Sequence, residues 1–372
     1  MKNCQAVTLG ILNVMACSAS AQMSASSVSL FGRLDEGIVV QSSRAPGGTF
    51  TGDNSTVWLP SLWGISGRED LGGNWAAIFN LASTIVVNTG SQASQQKLFD
   101  RNAYMGVVTP RAGTLTFGRQ VNTLAEAFYV IDPLLARASA TNMNVRFGYL
   151  GGPGTTIQNN FGPNPGVAGA SLDRVDNAVK YSVNTASGIS GTALYAFGGQ
   201  AGSFSDNSAS GLLVGYDGAA LGARAAYMQF KDATGVPLRA FVGGLYYKIN
   251  SITLRAAYTQ NRLSSNLAPI DQSYRDMTTT VYSAGADWLV TPNVDLVAAY
   301  YHGKRTQDGL ADQVADKFYF VPVYLLSKTT SVQLVSIYEH FNAAGAALDT
   351  GTPLRAGARS SVYLGAGITH EF

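Results

Sequence analysis

Residues that could perform catalysis or bind a metal ion are scarce in this chain. Its 372 residues include three histidines, His302, His340 and His370, and none has a second His or a Cys at a metal-ligating spacing. Ser336 and His340 could supply a nucleophile and its base, but His340 lies in a pattern typical of a strand end beside a loop. The stretch 151–154 lacks the Lys-Ser/Thr pair of a phosphate-binding loop. We therefore expect neither an enzyme nor a cofactor.

The charged side chains could instead act through their electric field. Lys and Arg total 25 and Asp and Glu total 23, so the formal charge is +2. Charged residues make up 13% of the chain and hydrophobic residues 46%. A nucleic-acid-binding protein normally has a clear basic excess, and a disordered chain has fewer apolar residues. The composition therefore argues against both classes, and no nucleic-acid partner is expected.

The first 21 residues have the features of a secretory signal peptide. Lys2 precedes a mostly apolar stretch, Ala6–Cys17, and Ala19–Ala21 forms a small-x-small cleavage site. We expect removal of residues 1–21 and a mature domain over residues 22–372. A competing interpretation takes Cys17 as a lipidated cysteine. Both cysteines of the chain lie in the segment to be removed, so the mature protein would have no thiol.

The rest of the chain alternates apolar and polar residues with a period of two, in segments of about ten residues. No apolar run approaches the ~18 residues of a membrane-spanning helix. The final segment shows the alternation most clearly: Val362, Leu364, Ala366 and Ile368 share one parity. Such a pattern predicts antiparallel strands with one apolar and one polar face.

The connections between these segments alternate between short turns and long polar links. Short turns occur at residues 70–74, 217–218 and 250–251, for example, and long links at 42–60 and 123–172. Short turns at one end and long loops at the other are typical of outer-membrane barrels, which close because lipid offers no hydrogen-bonding partner to a free sheet edge. We predict an all-β, closed up-and-down antiparallel transmembrane β-barrel of about 16 strands, with 14 or 18 as alternatives. A soluble secreted β-protein is the competing class.

Five stretches of the chain resemble one known family. In their order and spacing they resemble the general trimeric porins of Gram-negative outer membranes, of the β-proteobacterial type. The resemblance covers residues 28–372 and rests on the following segments: Val28–Gly32, Trp63–Gly73, Leu98–Gln120, Arg174–Tyr181 and Tyr324–Lys328, with the terminal Phe372.

This resemblance implies a homotrimer of sixteen-stranded barrels through which small hydrophilic solutes and ions diffuse passively. It implies that the third long loop, about residues 121–172, folds into the lumen as a constriction loop. It also implies contact with outer-membrane lipid and lipopolysaccharide, and assembly by the barrel-assembly machinery through the last strand, with Phe372 as the signal. Two arginines usual in the second strand of the family are replaced by Leu62 and Ser66, and Arg68 stands where a small residue is usual.

Charged residues on the wall and on the constriction loop would set the selectivity of such a pore. We expect loop carboxylates to face wall cations, which leaves the preferred ion open. Arg101 and Arg119 lie where the alternation breaks, and we expect them at the loop root or at the subunit interface. Strand parity and loop position give these candidates: Arg33, Asp35, Arg68, Arg174, Lys180, Arg224, Arg239 and Arg255 on the wall, and Glu126, Asp132, Arg137 and Arg146 on the loop.

Two other functions remain open at this stage. A substrate-specific channel would need an aromatic path or a saturable site, whereas the aromatic residues here follow strand-face parity. A structural or adhesive barrel would need a lumen plugged by residues 123–172. A passive diffusion pore is the function that the sequence favours.

Overall fold

A computed structural model describes residues 26–45, 47–94, 97–138, 141–143, 173–263, 276–344 and 354–372. The predicted signal peptide, residues 1–21, lies outside these ranges. One short helix is present in them, α1 (Thr123–Ile131), and no described helix has the length and apolar character needed to cross a membrane.

The strands alternate with turns and loops along the whole described chain. They are β1 (Ser27–Arg44), β2 (Gly48–Asn54), β3 (Leu62–Gly72), β4 (Trp75–Val86), β5 (Ser91–Gln92), β6 (Asn102–Thr109), β7 (Gly113–Val121), β8 (Arg174–Asn184), β9 (Ile189–Ala196), β10 (Ala209–Asp217), β11 (Leu221–Lys231), β12 (Pro237–Ile249), β13 (Ile252–Leu263), β14 (Met277–Thr291), β15 (Val294–Thr306), β16 (Gln313–Leu325), β17 (Thr330–Phe341) and β18 (Ser360–Glu371).

The strands form one closed antiparallel barrel. Strands that follow one another around the ring pair antiparallel, and β1 pairs with β18 to close it. β2 and β3 both pair with β1, and β5 and β6 both pair with β4, so the eighteen described strands occupy sixteen positions around the barrel. The predicted fold class and strand number are confirmed.

The two ends of the barrel differ in the length of their connections. The turn between β12 and β13 has two residues, and Asn250 there adopts the left-handed conformation (φ 53°) that asparagine tolerates. At the opposite end β7 and β8 are separated by residues 122–173. Outer-membrane barrels have their short turns on the periplasmic side and their long loops outside the cell, so we name the two ends accordingly.

The outer face of the barrel is apolar and carries an aromatic band towards the extracellular end. Phe241, Tyr258 and Tyr282 form one part of this band, with ring centroids 6.2 and 5.2 Å apart in succession. Tyr300, Phe318 and Tyr338 continue it at 4.6 and 6.4 Å. Aromatic rings of this kind lie at the boundary between hydrocarbon and headgroups.

One predicted lumen residue lies on this outer face. Arg239 is exposed and shares its parity in β12 with Phe241 and Leu245, so the prediction that it faces the lumen is wrong. The inner face of β12 carries the buried Leu238 and Val242, because the lumen helix α1 covers it. Both faces of this strand are therefore apolar in part, and alternation alone could not tell inside from outside.

Candidate functional site in the barrel lumen

The chain that follows β7 folds into the lumen and lies against the inner wall. The side chain of Asn122 caps α1 by accepting a hydrogen bond from Ala125 N (3.0 Å). Leu124, Phe128 and Ile131 form the buried side of the helix and pack against strands β10–β13. In the described part of residues 121–172, the predicted folding of this loop into the barrel is therefore observed. We call the described residues 122–138 and 141–143 the lumen loop.

Asp132 ends α1 and holds the turn that follows. Its carboxylate accepts hydrogen bonds from Leu134 N (3.1 Å), Ala136 N (2.8 Å), Asn142 Nδ2 (3.1 Å) and the hydroxyl of Tyr301 (2.9 Å) on β15. The residue is fully buried. The prediction that Asp132 presents a charge to the pore is wrong, because its carboxylate satisfies the N–H groups of an irregular turn that has no ladder partner.

A second segment enters the lumen between β2 and β3. Val57, Trp58 and Leu59 are buried, and their backbone N–H groups donate to the carboxylate of Asp35 at 2.7, 3.1 and 3.1 Å. Thr369 Oγ1 donates to the same carboxylate at 2.6 Å. Asp35 has the predicted inward parity, but this segment covers it completely, so it does not line the pore.

Trp58 joins this segment to the lumen loop. Its carbonyl accepts a hydrogen bond from Ala138 N at 2.6 Å, and the guanidinium of Arg137 lies 4.8 Å from the centre of its ring. Arg137 also donates to Asp287 on β14 at 3.1 Å. Because Arg137 is only 2% exposed, it braces the loop against the wall, and its predicted role as a pore-facing charge is wrong.

Beyond these braced segments, the inner face carries a cluster of cations opposite the open side of α1. Arg33 lies on β1, Arg101 just before β6, and Arg174 and Lys180 on β8. On the loop side Glu126 and Tyr129 are half-buried, and Tyr129 also packs against the edge of the hydrophobic cluster beneath the helix. A barrel of sixteen strands leaves an aqueous passage where its lumen is not filled. We call these six residues, together with Asp173, the eyelet cluster.

Most charges of the eyelet cluster are paired. Lys180 pairs with Glu126 and also donates to Val121 O (3.0 Å). Arg174 pairs with Asp173, and the hydroxyl of Tyr129 donates to the same carboxylate at 2.7 Å. Burial, reinforced by the negative charge of Asp173, raises the pKa of the Tyr129 hydroxyl above its ordinary value, so Tyr129 stays neutral and acts as a donor.

Arg33 and Arg101 have weaker carboxylate contacts. Arg33 donates to Pro60 O at 3.1 and 3.2 Å and lies 3.6 Å from the half-exposed carboxylate of Glu371. Arg101 has no carboxylate within ion-pair distance among the described residues. Burial, together with the charge of Arg174, lowers the pKa of Arg101 to about 10 against the opposing effect of Asp173, so the group is still cationic at neutral pH.

The loop root beside this cluster is fixed by a separate ion-pair group. Arg119 donates to Asp100 O (2.6 Å) and to Asp176 (2.6 Å), and Lys97 pairs with the second oxygen of Asp176. Of the two positions expected for Arg119, the loop root and the subunit interface, the structure places it at the loop root. Arg101, whose position was left open between the loop root and the subunit interface, instead belongs to the eyelet cluster. Only the three-dimensional placement of the chain before β6 shows this.

The other predicted wall residues lie away from the eyelet cluster. Arg68 has lumen parity on β3 near the periplasmic end. Arg224 pairs with Asp217 at the periplasmic end, and Arg255 lies 3.6 Å from Asp287. Arg146 falls outside the described residues.

Phe372 closes the seam of the barrel. Its backbone exchanges two hydrogen bonds with Gly32 on β1, at 2.9 and 3.0 Å. A Cβ atom added to Gly32 would come within 2.3 Å of the Phe372 ring. The glycine therefore provides the space in which the terminal ring packs.

Comparisons with known proteins agree with this architecture. A family model described as Gram-negative porin matches residues 6–344. An outer membrane porin protein of Bordetella pertussis is 28% identical over 316 residues, which are 81% of this chain and 70% of that protein. An anion-selective porin from Comamonas acidovorans has a similar structure, with a TM-score of 0.75 and 21% identity over 93% of this chain and 100% of that one. The trimer form of OmpT from Vibrio cholerae has a TM-score of 0.63 and 16% identity over 94% and 100% of the two chains.

Proposed function

The chain belongs to the Gram-negative porin family, and within that family we propose that its channel prefers small anionic solutes over cationic ones. The protein is an outer-membrane β-barrel pore for the passive diffusion of ions and small hydrophilic solutes. Its family and fold are those of channels rather than of enzymes, and we assign no catalytic reaction to it. The preference for anions follows from the eyelet cluster.

The observation that carries this proposal is that Arg101 forms no ion pair with a described residue. Lys180, Arg174 and Arg33 each have a carboxylate within 4 Å, whereas Arg101 has none in the described part of the chain. Its positive charge is therefore the one cationic charge of the eyelet cluster without an ion-pair partner among the described residues. A narrow passage with low-dielectric walls strengthens the field of such a charge and raises the local concentration of anions. The similar Comamonas protein is described as anion-selective, which agrees with this assignment.

Planar-bilayer recording with a salt gradient tests the proposal. The wild-type reversal potential should indicate anion preference, and Arg101→Gln should reduce the ratio of anion to cation permeability. A unit charge about 5 Å from a passing ion attracts an anion and repels a cation by ~0.8 kcal/mol each in water, which is about fourfold for each ion, so we expect the permeability ratio to fall by roughly sixteenfold. Arg111→Gln removes the same charge from an exposed periplasmic turn and is the matched control.

The same recordings separate the other possible functions. An unchanged reversal potential in Arg101→Gln would contradict the role of this residue in selectivity, but the assignment of the protein as a porin would still hold. Current blocked at saturation by one solute would indicate a substrate-specific channel. A silent membrane in the presence of correctly folded protein would indicate a plugged barrel and would contradict passive diffusion.

We further propose the partners that such a pore requires. The chain would be exported after removal of residues 1–21 and inserted by the barrel-assembly machinery through β18 and Phe372. It would function as a homotrimer in contact with outer-membrane lipid and lipopolysaccharide. A trimeric form of a structural relative supports the trimer, and the packing of Phe372 at the barrel seam supports the role of the last strand.

A further inference from the structure

Two arginines lie directly opposite each other on the lipid-facing side of the barrel. Arg239 on β12 is the register partner of Arg262 on β13, and both side chains are exposed on the outer face. Directly opposed residues on antiparallel strands have Cβ atoms about 5 Å apart. Lys231, at the end of β11, shares the outer face with Arg239 and lies diagonally from it, because its own register partner is Pro237.

These three cations form no ion pair with a described residue, although Asp276, two residues before Thr278, lies diagonally from Arg262. None of them donates a hydrogen bond to a described carboxylate, and the remaining cross-strand neighbours of the two arginines are the uncharged Gln229 and Thr278. Lys304, which also lies on the outer face at the extracellular end, differs because it pairs with Asp312 at 2.7 Å. Like charges directly opposed across two strands destabilise a sheet unless an anion lies between them.

The position of the cations identifies the kind of anion that can reach them. Arg239 is two residues beyond Phe241 of the aromatic band in the extracellular direction, which corresponds to about 7 Å along the strand. The aromatic band marks the edge of the hydrocarbon, so the three cations lie at the level of the headgroups of the outer leaflet. Phosphate groups of lipids lie at that level, and arginine binds phosphate oxygens through paired N–H donors.

We propose that Lys231, Arg239 and Arg262 form a binding site for a phosphate group of lipopolysaccharide in the outer leaflet. The bound phosphate removes the repulsion between the two arginines and fixes the lipid against β11–β13. The site rests on the outer-membrane location of the barrel. It is independent of the selectivity proposed for the eyelet cluster, which lies inside the wall.

Binding of purified lipopolysaccharide to the delipidated porin in detergent tests this site. Each basic residue near an anionic headgroup contributes about a fivefold increase in affinity, so the double variant Arg239→Gln/Arg262→Gln should bind roughly thirtyfold more weakly. The control Arg111→Gln/Lys328→Gln removes two exposed charges from periplasmic turns and should bind as the wild type does. Equal loss in both variants would show a general charge effect and would overturn the proposal.

Further binding experiments test which part of the lipid is bound and whether the variants remain folded. Lipopolysaccharide from which the phosphates have been removed should bind the wild type as weakly as the double variant, and inorganic phosphate should not displace the intact lipid. Displacement by inorganic phosphate would mean a site for free anions instead. Arg239→Lys/Arg262→Lys keeps the charge and should retain most of the affinity, which guards against loss by misfolding. Unchanged reversal potentials in all variants would separate this site from the eyelet cluster.

Discussion

Replacement of Asp35 by Asn should loosen the inner segment around Trp58 and destabilise the barrel. One carboxylate oxygen accepts from Val57 N and Trp58 N, and the other from Leu59 N, Thr369 Oγ1 and Gln333 Nε2 (3.2 Å). An amide has only one acceptor oxygen. If that oxygen keeps the first pair of donors, the Thr369 hydroxyl can rotate and the Gln333 amide can turn to accept, but Leu59 N–H cannot change its role.

The expected loss in unfolding free energy can be estimated from these bonds. One buried N–H without a partner costs about 1–3 kcal/mol, and each bond that loses its charged acceptor weakens by about 1 kcal/mol. Relief of the desolvation penalty of a buried carboxylate offsets part of this. We expect Asp35→Asn to reduce the unfolding free energy by about 2–4 kcal/mol. Asp35→Ala, which removes every acceptor, should reduce it further.

Urea unfolding of the protein in lipid vesicles, followed by tryptophan fluorescence, measures this difference. Trp58 is 2% exposed and lies next to the altered site, so its emission should shift to longer wavelength in the folded variant. Asp312→Asn, in a half-exposed surface pair with Lys304, is the matched control and should change stability by less than about 1 kcal/mol. A change no larger than that of the control, with unshifted emission, would refute the anchoring role of Asp35.

Two further changes test the seam and the eyelet cluster. Gly32→Ala should hinder closure of the barrel, because the new Cβ would meet the Phe372 ring at 2.3 Å. Gly191→Ala is the control, since its Cβ meets its nearest atom at 3.6 Å and should be tolerated. The midpoint of heat-induced unfolding, measured on gels, compares the two variants, and equal midpoints would contradict the packing of Phe372 on Gly32. Glu126→Gln should leave Lys180 without its carboxylate and increase anion preference in the reversal potential, and a decrease would contradict the eyelet assignment.

Alternation of apolar and polar residues predicted the barrel and about sixteen strands, and the lengths of the connections predicted the difference between its two ends. The pattern is clear in β18, because the outer face of that strand is apolar and meets lipid while its inner face carries small or polar residues such as Gly365 and Thr369. It fails in β12, where Leu238 and Val242 face inward beneath α1 and Arg239 faces outward. A lumen loop changes the environment of the wall that it covers, and strand parity contains no information about that cover.

The candidate site was only partly predictable for a related reason. The sequence indicated that Glu126 and Lys180 are charged residues near the pore, but parity cannot distinguish a charge in water from one beneath another segment. Asp35 lies beneath residues 57–59, and Arg137 lies against Trp58. Arg101 precedes its strand, so it has no parity at all, and only the folded chain places it beside Arg174.

The two segments that narrow the lumen also bear on the positive charge that we propose for the passage. Each leaves the sheet and therefore has backbone N–H groups without ladder partners, and buried N–H groups require acceptors. Asp35 and Asp132 supply these acceptors and become fully buried in doing so. Arginine and lysine have no acceptor atom and cannot serve such N–H groups. Two acids are thus withdrawn into the supports of these segments, whereas Glu126 and Asp173 stay in the eyelet cluster as partners of Lys180 and Arg174. The anion preference that we propose therefore rests on Arg101.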